Sequence, residues 1–170
     1  RGLGDVYKRQ VICSDKTGTL TKGEMTVRRI FCDDRTVEVT GSGYEPKGEF
    51  MLNSDPIDPK GDEALSLLLR IAALCNNSHL ENDGEQWRVT VDPTEGALVV
   101  AAYKAGLKQE DLEKQYPRLG EIPFSSERKR MTTVHSVADE VYAYIKGAPE
   151  VILERCSRIY EKGKESRLTC

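Results

Sequence analysis

Val11-Ile12-Cys13-Ser14-Asp15-Lys16-Thr17-Gly18-Thr19-Leu20-Thr21 is the stretch from which the rest of the chain is read. Its opening apolar run, Val11 to Cys13, has the pattern of a buried parallel strand. Asp15 then falls at the carboxyl end of that strand, where open α/β sheets place their ligands. Gly18 and the threonines around it suit a tight loop whose backbone N–H groups hold a phosphoryl group. A carboxylate in such a place can take that group as an aspartyl-phosphate, which makes Asp15 a candidate nucleophile. The competing reading is a strand-to-loop turn with a solvated Asp.

The heptapeptide from Asp15 to Thr21 resembles the phosphorylation signature of the P-type ATPases, ion pumps that pass through a phosphoaspartate. The resemblance implies a catalytic loop of Asp15, Lys16, Thr17 and Thr19. Asp15 would accept the γ-phosphate of ATP and Thr19 would help hold it. Mg²⁺ would sit on the Asp15 carboxylate and the Thr17 carbonyl, where it neutralises charge during phosphoryl transfer. Soluble haloacid-dehalogenase-type phosphatases share the Asp nucleophile but usually carry a second Asp two residues on. Here that position is Thr17, and the missing carboxylate is expected to slow hydrolysis of the phosphoenzyme.

The totals bound the possibilities. At 170 residues, one domain and a piece of a second are expected. Hydrophobic content of 38% and charged content of 31% suit a globular chain. A net charge of −3 supplies no bulk field for nucleic acid. The chain has no run of about 18 apolar residues, so a pump's membrane spans would lie outside it. The five cysteines are widely spaced with no C-x-x-C pair, which indicates neither zinc knuckle nor redox motif and fits a reducing compartment.

Residues 1–10 are polar and basic, lack an apolar targeting core, and are read as a non-native leader. Residues 11–23 read as the start of a phosphorylation domain, with Lys22-Gly23 as a flexible break. Residues 24–170 read as a nucleotide-binding domain, incomplete at its C-terminus. Within it, Met25 to Phe31 and Thr36 to Thr40 read as strands joined by a turn at Asp33-Asp34. Gly41 to Phe50 reads as a Gly- and Pro-rich surface loop without the spacing of a dinucleotide fingerprint. From Asp62, Leu65, Leu68, Leu69 and Ala72 recur at helical spacing, so a helix that packs on a sheet is expected. Asn76-Asn77 stops it. His79 has no partners at metal-ligand spacing.

Asp92-Pro93-Thr94-Glu95 opens a second helix, with Asp92 at the N-cap, Pro93 in the first position and Glu95 placed to close a capping box. Gly106 ends it. Lys108 to Tyr116 reads as a short polar helix. Met131 to Val137 and Val141 to Ile145 alternate as a hairpin turning at Ala138-Asp139-Glu140. Pro149 starts a last helix.

Three further stretches resemble the nucleotide site of type II cation pumps, most closely the bacterial calcium-pump group. Phe124 with the basic cluster to Arg130 resembles an adenine-stacking motif. It offers a π-face for the base and Lys129 as a cation for phosphates; alternatively Phe124 is a core residue before a solvated turn. Lys146-Gly147-Ala148-Pro149-Glu150 resembles the nucleotide-site lysine motif. There Gly147 lets a ligand approach the backbone and Lys146 lies beside a helix N-terminus, against the plain reading of a surface lysine. Glu95 resembles a glutamate that helps bind adenosine, a role compatible with capping.

The implied fold is α+β: a mainly antiparallel sheet with packed helices, preceded by the first strand of a haloacid-dehalogenase-like phosphorylation domain. The implied function is a cytoplasmic piece of an ATP-driven cation pump, with calcium favoured and sodium, potassium or proton as alternatives. The implied partners are ATP, Mg²⁺ and a transported cation held by membrane segments outside this chain. The intact protein would sit in a membrane, the bacterial plasma membrane on this resemblance. Alone, the chain is expected to bind ATP without turning it over. A soluble phosphatase and a nucleotide-binding module without chemistry are the readings from other classes.

Overall fold

The computed structural model describes residues 23–168. The strand expected from Val11 to Cys13 and the loop expected to bear Asp15, Lys16, Thr17 and Thr19 fall outside the described residues. Among the described residues eleven strands and four helices follow one another, and every strand pair there is antiparallel. The α+β expectation holds, but the strands divide into four separate ladders rather than one sheet.

The first ladder joins β1 (Arg29–Cys32), β2 (Arg35–Val39), β3 (Phe50–Leu52) and β4 (Asp55–Ile57) in sequence order. Asp33 and Asp34 both have positive φ, which fits the tight turn read at this point. Phe50 belongs to β3 rather than to the loop before it, and its side chain is buried in the core. Helix α1 (Glu63–Leu74) is capped by Asp62, whose carboxylate accepts from the Leu65 N–H. Its buried stripe is Leu65, Leu69 and Ala73; Leu68 and Ala72 are only half-buried. The N-terminal part of α1 packs with Ile30, Val37, Val39 and Phe50, so the expected helix-on-sheet contact is present.

Helix α2 (Pro93–Lys104) is the hub. Ala101 faces the first core, Ala102 a second, and Val99 and Val100 a third. A helix apolar on every face must be buried on every face. In the third core, α2 meets the short hairpin of β5 (Leu80–Asn82) and β6 (Trp87–Val89). Gly106, at φ +69°, follows the helix where a left-handed residue is wanted. Helix α3 (Gln109–Gln115) then leads into β7 (Arg118–Ser125), β8 (Arg130–Val137) and β9 (Glu140–Gly147), a three-stranded meander. Met131 and Tyr144 of this meander close the second core against the C-terminal end of α1 and Leu112 of α3. Helix α4 (Pro149–Leu153) and the hairpin of β10 (Arg158–Glu161) and β11 (Lys164–Arg167) complete the described chain. No helix among the described residues is long and apolar enough to cross a membrane.

Candidate functional site

A cleft of about 600 Å³ opens where the N-terminus of α2 faces the meander. That volume lies in the usual range for small-molecule sites. Leu98 and Met131 line it with apolar surface, Phe124 forms one wall, and Asp92, Glu95 and Lys146 supply its charges. Three residues expected at a nucleotide site, Glu95, Phe124 and Lys146, thus meet in one cleft although they come from α2, β7 and β9. Gly147 also lines it.

Pro93 and Asp92 start α2 as the sequence predicts, with Asp92 Oδ1 accepting from the N–H groups of Thr94 at 2.8 Å and Glu95 at 2.9 Å. The expected capping box does not form. The Asp92 N–H donates instead to Ser78 Oγ at 3.0 Å, so that donor is already satisfied. Glu95 is therefore free to turn into the cleft. Its Oε1 accepts from Lys146 Nζ at 2.7 Å and its Oε2 from the Asn77 backbone N–H at 3.0 Å. The Glu95 and Lys146 side chains keep only 18% and 23% of their exposure, so the pair is largely withdrawn from water.

Asn76-Asn77-Ser78 does more than stop α1. Asn76 Nδ2 donates to the Ala72 carbonyl at 3.1 Å and the Glu95 carbonyl at 2.9 Å, tying the end of α1 to the start of α2. Ser78 Oγ donates to the Asp92 carbonyl at 3.1 Å. These cross-links hold Glu95 in place from behind.

Phe124 is not a core residue: it is 61% exposed, with a ring face available on the cleft wall. Lys129 lies at the neighbouring turn. It occupies the β7–β8 turn in a left-handed conformation, φ +50°, exposed, and is not itself among the residues that line the cleft, although its carbonyl packs against Gly147, which is. Its main chain is engaged, its N–H donating to Ser125 and its carbonyl accepting from Ala148. Gly147 is explained differently. A Cβ there would lie 2.4 Å from the Lys129 carbonyl oxygen and 2.6 Å from the Arg130 Cβ. The chain itself, before any ligand, needs that position empty. Lys146 points at Glu95 rather than at the N-terminus of α4, which is five residues long.

Sequence reasoning missed Asn77, Thr94, Leu98 and Met131 as lining residues. It also missed Val91, which has φ +79° and is 78% exposed at the lip of the cleft. A β-branched residue in that region is strained, and such strain gathers at functional sites. His79 Nδ1 donates to Gln109 Oε1 at 3.2 Å and belongs to no metal-binding group among the described residues. Among the described residues no group of three or more His, Cys, Asp or Glu side chains could hold a metal ion. The Asp15 and Thr17 positions expected to hold Mg²⁺ lie outside the described residues.

Comparison with known proteins places this geometry in a family. A family model described as P-type ATPase, cytoplasmic domain N, matches residues 64–170. A calcium-transporting ATPase of Bacillus subtilis is 45% identical over 154 residues, which cover 90% of this chain and 17% of that protein. The cation-transporting ATPase pma1 of Synechocystis is 44% identical over 151 residues, covering 86% and 17%. The human calcium-transporting ATPase type 2C member 1 is 40% identical over 164 residues, covering 94% and 17%. The chain thus spans about a sixth of the length of these relatives.

Proposed function

This chain belongs to the P-type ATPases and carries their cytoplasmic domain N, and from that premise we propose that the cleft between α2 and the meander binds ATP. The carrying observation is the composition of the cleft. An exposed aromatic face stands beside apolar surface from Leu98 and Met131, with the Glu95–Lys146 carboxylate–ammonium pair at its side. A flat purine needs a stacking face, dry contact and a few polar groups at its edge. Phe124 supplies the first, Leu98 and Met131 the second, and Glu95 with Lys146 the third. Gly147 lines the same cleft. Lys129, exposed beside it, would act on the phosphates through its charge at longer range.

In a longer protein the bound ATP would deliver its γ-phosphate to Asp15, with Lys16, Thr17 and Thr19 around it. Asp15 and Thr17 are the residues that would hold Mg²⁺, which supplies charge neutralisation during the transfer. The work done with that phosphate would be cation transport. Two of the relatives named above are calcium-transporting ATPases, and calcium is the cation proposed here. The cation would be bound by membrane segments outside this chain, and the chain alone would bind ATP without turnover.

An ATP titration of the chain followed by amide NMR tests the site. Saturable shifts should centre on Glu95, Phe124, Lys146 and Gly147. Phe124→Ala should leave stability within about 1 kcal/mol, since the ring is mostly exposed, while affinity falls by the roughly 1–3 kcal/mol that base–aromatic stacking supplies. A folded spectrum without response, or shifts that cluster elsewhere, would refute the assignment.

A further inference from the structure

Strand β7 is the edge of its ladder, and its pairing with β8 slips twice. Arg118 pairs with His135, then Gly120, Glu121 and Ile122 with Val134, Thr133 and Thr132, and Ser125 with Arg130. Leu119 is therefore one extra residue, and Pro123 with Phe124 together oppose Met131. Residues three apart in a regular strand lie on opposite faces. One inserted residue between each pair cancels that reversal, because a bulge re-aims the side chains that follow it. Arg118, Glu121 and Phe124 consequently share the face of His135, Thr133 and Met131, which are buried.

Two of these three converge on Asn77. Arg118 Nη1 donates to Asn77 Oδ1 at 2.9 Å and to the Asn76 carbonyl at 3.2 Å. Arg118 Nη2 donates to Glu121 Oε2 at 2.5 Å, and Asn77 Nδ2 donates to Glu121 Oε1 at 3.2 Å. The ring of contacts is closed: each of the three side chains bonds the other two. Asn77 is also the residue whose backbone N–H holds Glu95. Neither Arg118 nor Glu121 lines the cleft.

We infer that Arg118 and Glu121 are positioning residues of the cleft, acting through Asn77. By fixing Asn77 they aim the Glu95 carboxylate. The proposal rests on the reading of the cleft as an ATP site. An isolated surface ion pair contributes little, whereas a closed network with a planar Arg fork fixes geometry. Lysine cannot reproduce a fork that spreads over Asn76, Asn77 and Glu121.

The test is a double-mutant cycle on the full chain, with ATP and GTP affinity by calorimetry and stability by urea unfolding. Arg118→Ala should weaken ATP binding about fivefold, within the range of couplings between groups in one network. Preference for ATP over GTP should narrow by a similar factor, since Glu95 is the carboxylate beside the base. Arg118→Lys should restore part of the loss and Glu121→Gln should behave likewise. In the Glu95→Gln background, Arg118→Ala should change ATP affinity less than twofold, an outcome that a merely structural role would not give. Equal losses with and without the Glu95 carboxylate overturn the proposal, as does unchanged affinity in Arg118→Ala. If the wild-type chain binds no ATP, the ATP reading fails and the proposal with it. If Glu95→Gln weakens binding and Arg118→Ala does not, only the positioning role fails.

Discussion

Replacing Lys146 by Met removes the ammonium from the cleft while keeping most of the side-chain volume. The pair it breaks has Nζ and Oε1 at 2.7 Å with about a fifth of each side chain still exposed. Unit charges at such a separation attract by about 4–6 kcal/mol at an effective dielectric near 20. Desolvation and the lost rotamer freedom of lysine cancel most of this. Fully exposed pairs couple by about 0.2–1 kcal/mol, and breaking a fully buried pair costs about 3–5 kcal/mol. Glu95 retains the Asn77 N–H when Lys146 is gone, so the orphaned carboxylate is only partly uncompensated. Lys146→Met should therefore cost about 2 kcal/mol, a fall in Tm of about 4–8 °C for a chain of this size. Glu95→Gln should cost about 1 kcal/mol and the double variant clearly less than the sum, with a coupling of about 1–1.5 kcal/mol. Urea unfolding followed by the fluorescence of Trp87, the chain's single tryptophan, measures all four corners of the cycle. Strict additivity, with coupling below about 0.3 kcal/mol, would mean that the two groups do not pair in solution and that the cleft has no preformed polar edge.

Two other outcomes follow from local geometry. Gly96→Ala should destabilise by about 1–2 kcal/mol although alanine is the better helix former. The new Cβ would lie 2.1 Å from Val89 Cγ1, and valine cannot rotate away easily. Val89→Ala in the same chain should recover much of the loss, and urea unfolding that shows Gly96→Ala to be stabilising would refute the packing argument. For pH, burial pushes the Glu110 carboxyl up, but the Tyr103 hydroxyl donating at 2.6 Å, its own backbone N–H and the nearby Lys108 and Lys114 outweigh this and hold it below the usual value. Burial, and then Glu110, push the Tyr103 phenol well above its usual range. A depressed carboxyl stabilises the fold above its ordinary pKa and loses that contribution as pH falls through the depressed one. Tyr103→Phe should thus raise the Glu110 midpoint in an NMR titration and soften the loss of stability across that acid window. An unchanged midpoint would show that the hydroxyl is not the cause.

Helices were the most legible part of the fold. Asp92 caps where it was read, α1 begins just after Asp62 where a helix was expected, Gly106 closes α2, and the β8–β9 hairpin turns at Ala138-Asp139. These signals are local, set by backbone donors within a few residues. The three-residue strands β3 to β6 escaped notice, because so short a segment carries no alternation to count and is made a strand by its partner. Glu95 shows the limit within the site. Its spacing from Asp92 satisfies a capping box, yet Ser78, fourteen residues earlier than Asp92, already occupies the donor. Lys129 and Lys146 look alike as basic residues near a motif, and only the tertiary structure separates the exposed one in the turn from the one in the cleft.

What the sequence determined by itself was the set of chemical parts and the local rules of each segment. Caps, turns, helical faces and the motif stretches at Asp92, Phe124 and Lys146 could all be read from neighbours along the chain. The tertiary structure decided which parts meet. It set Glu95 against Lys146, fifty-one residues apart, and joined Asn77 to Arg118 and Glu121 across more than forty. It also put Arg118, Glu121 and Phe124 on one face through two extra residues in β7. Such choices depend on which donor is already satisfied and where a ladder slips, and those are settled only when distant segments compete for the same hydrogen bonds in one packed interior.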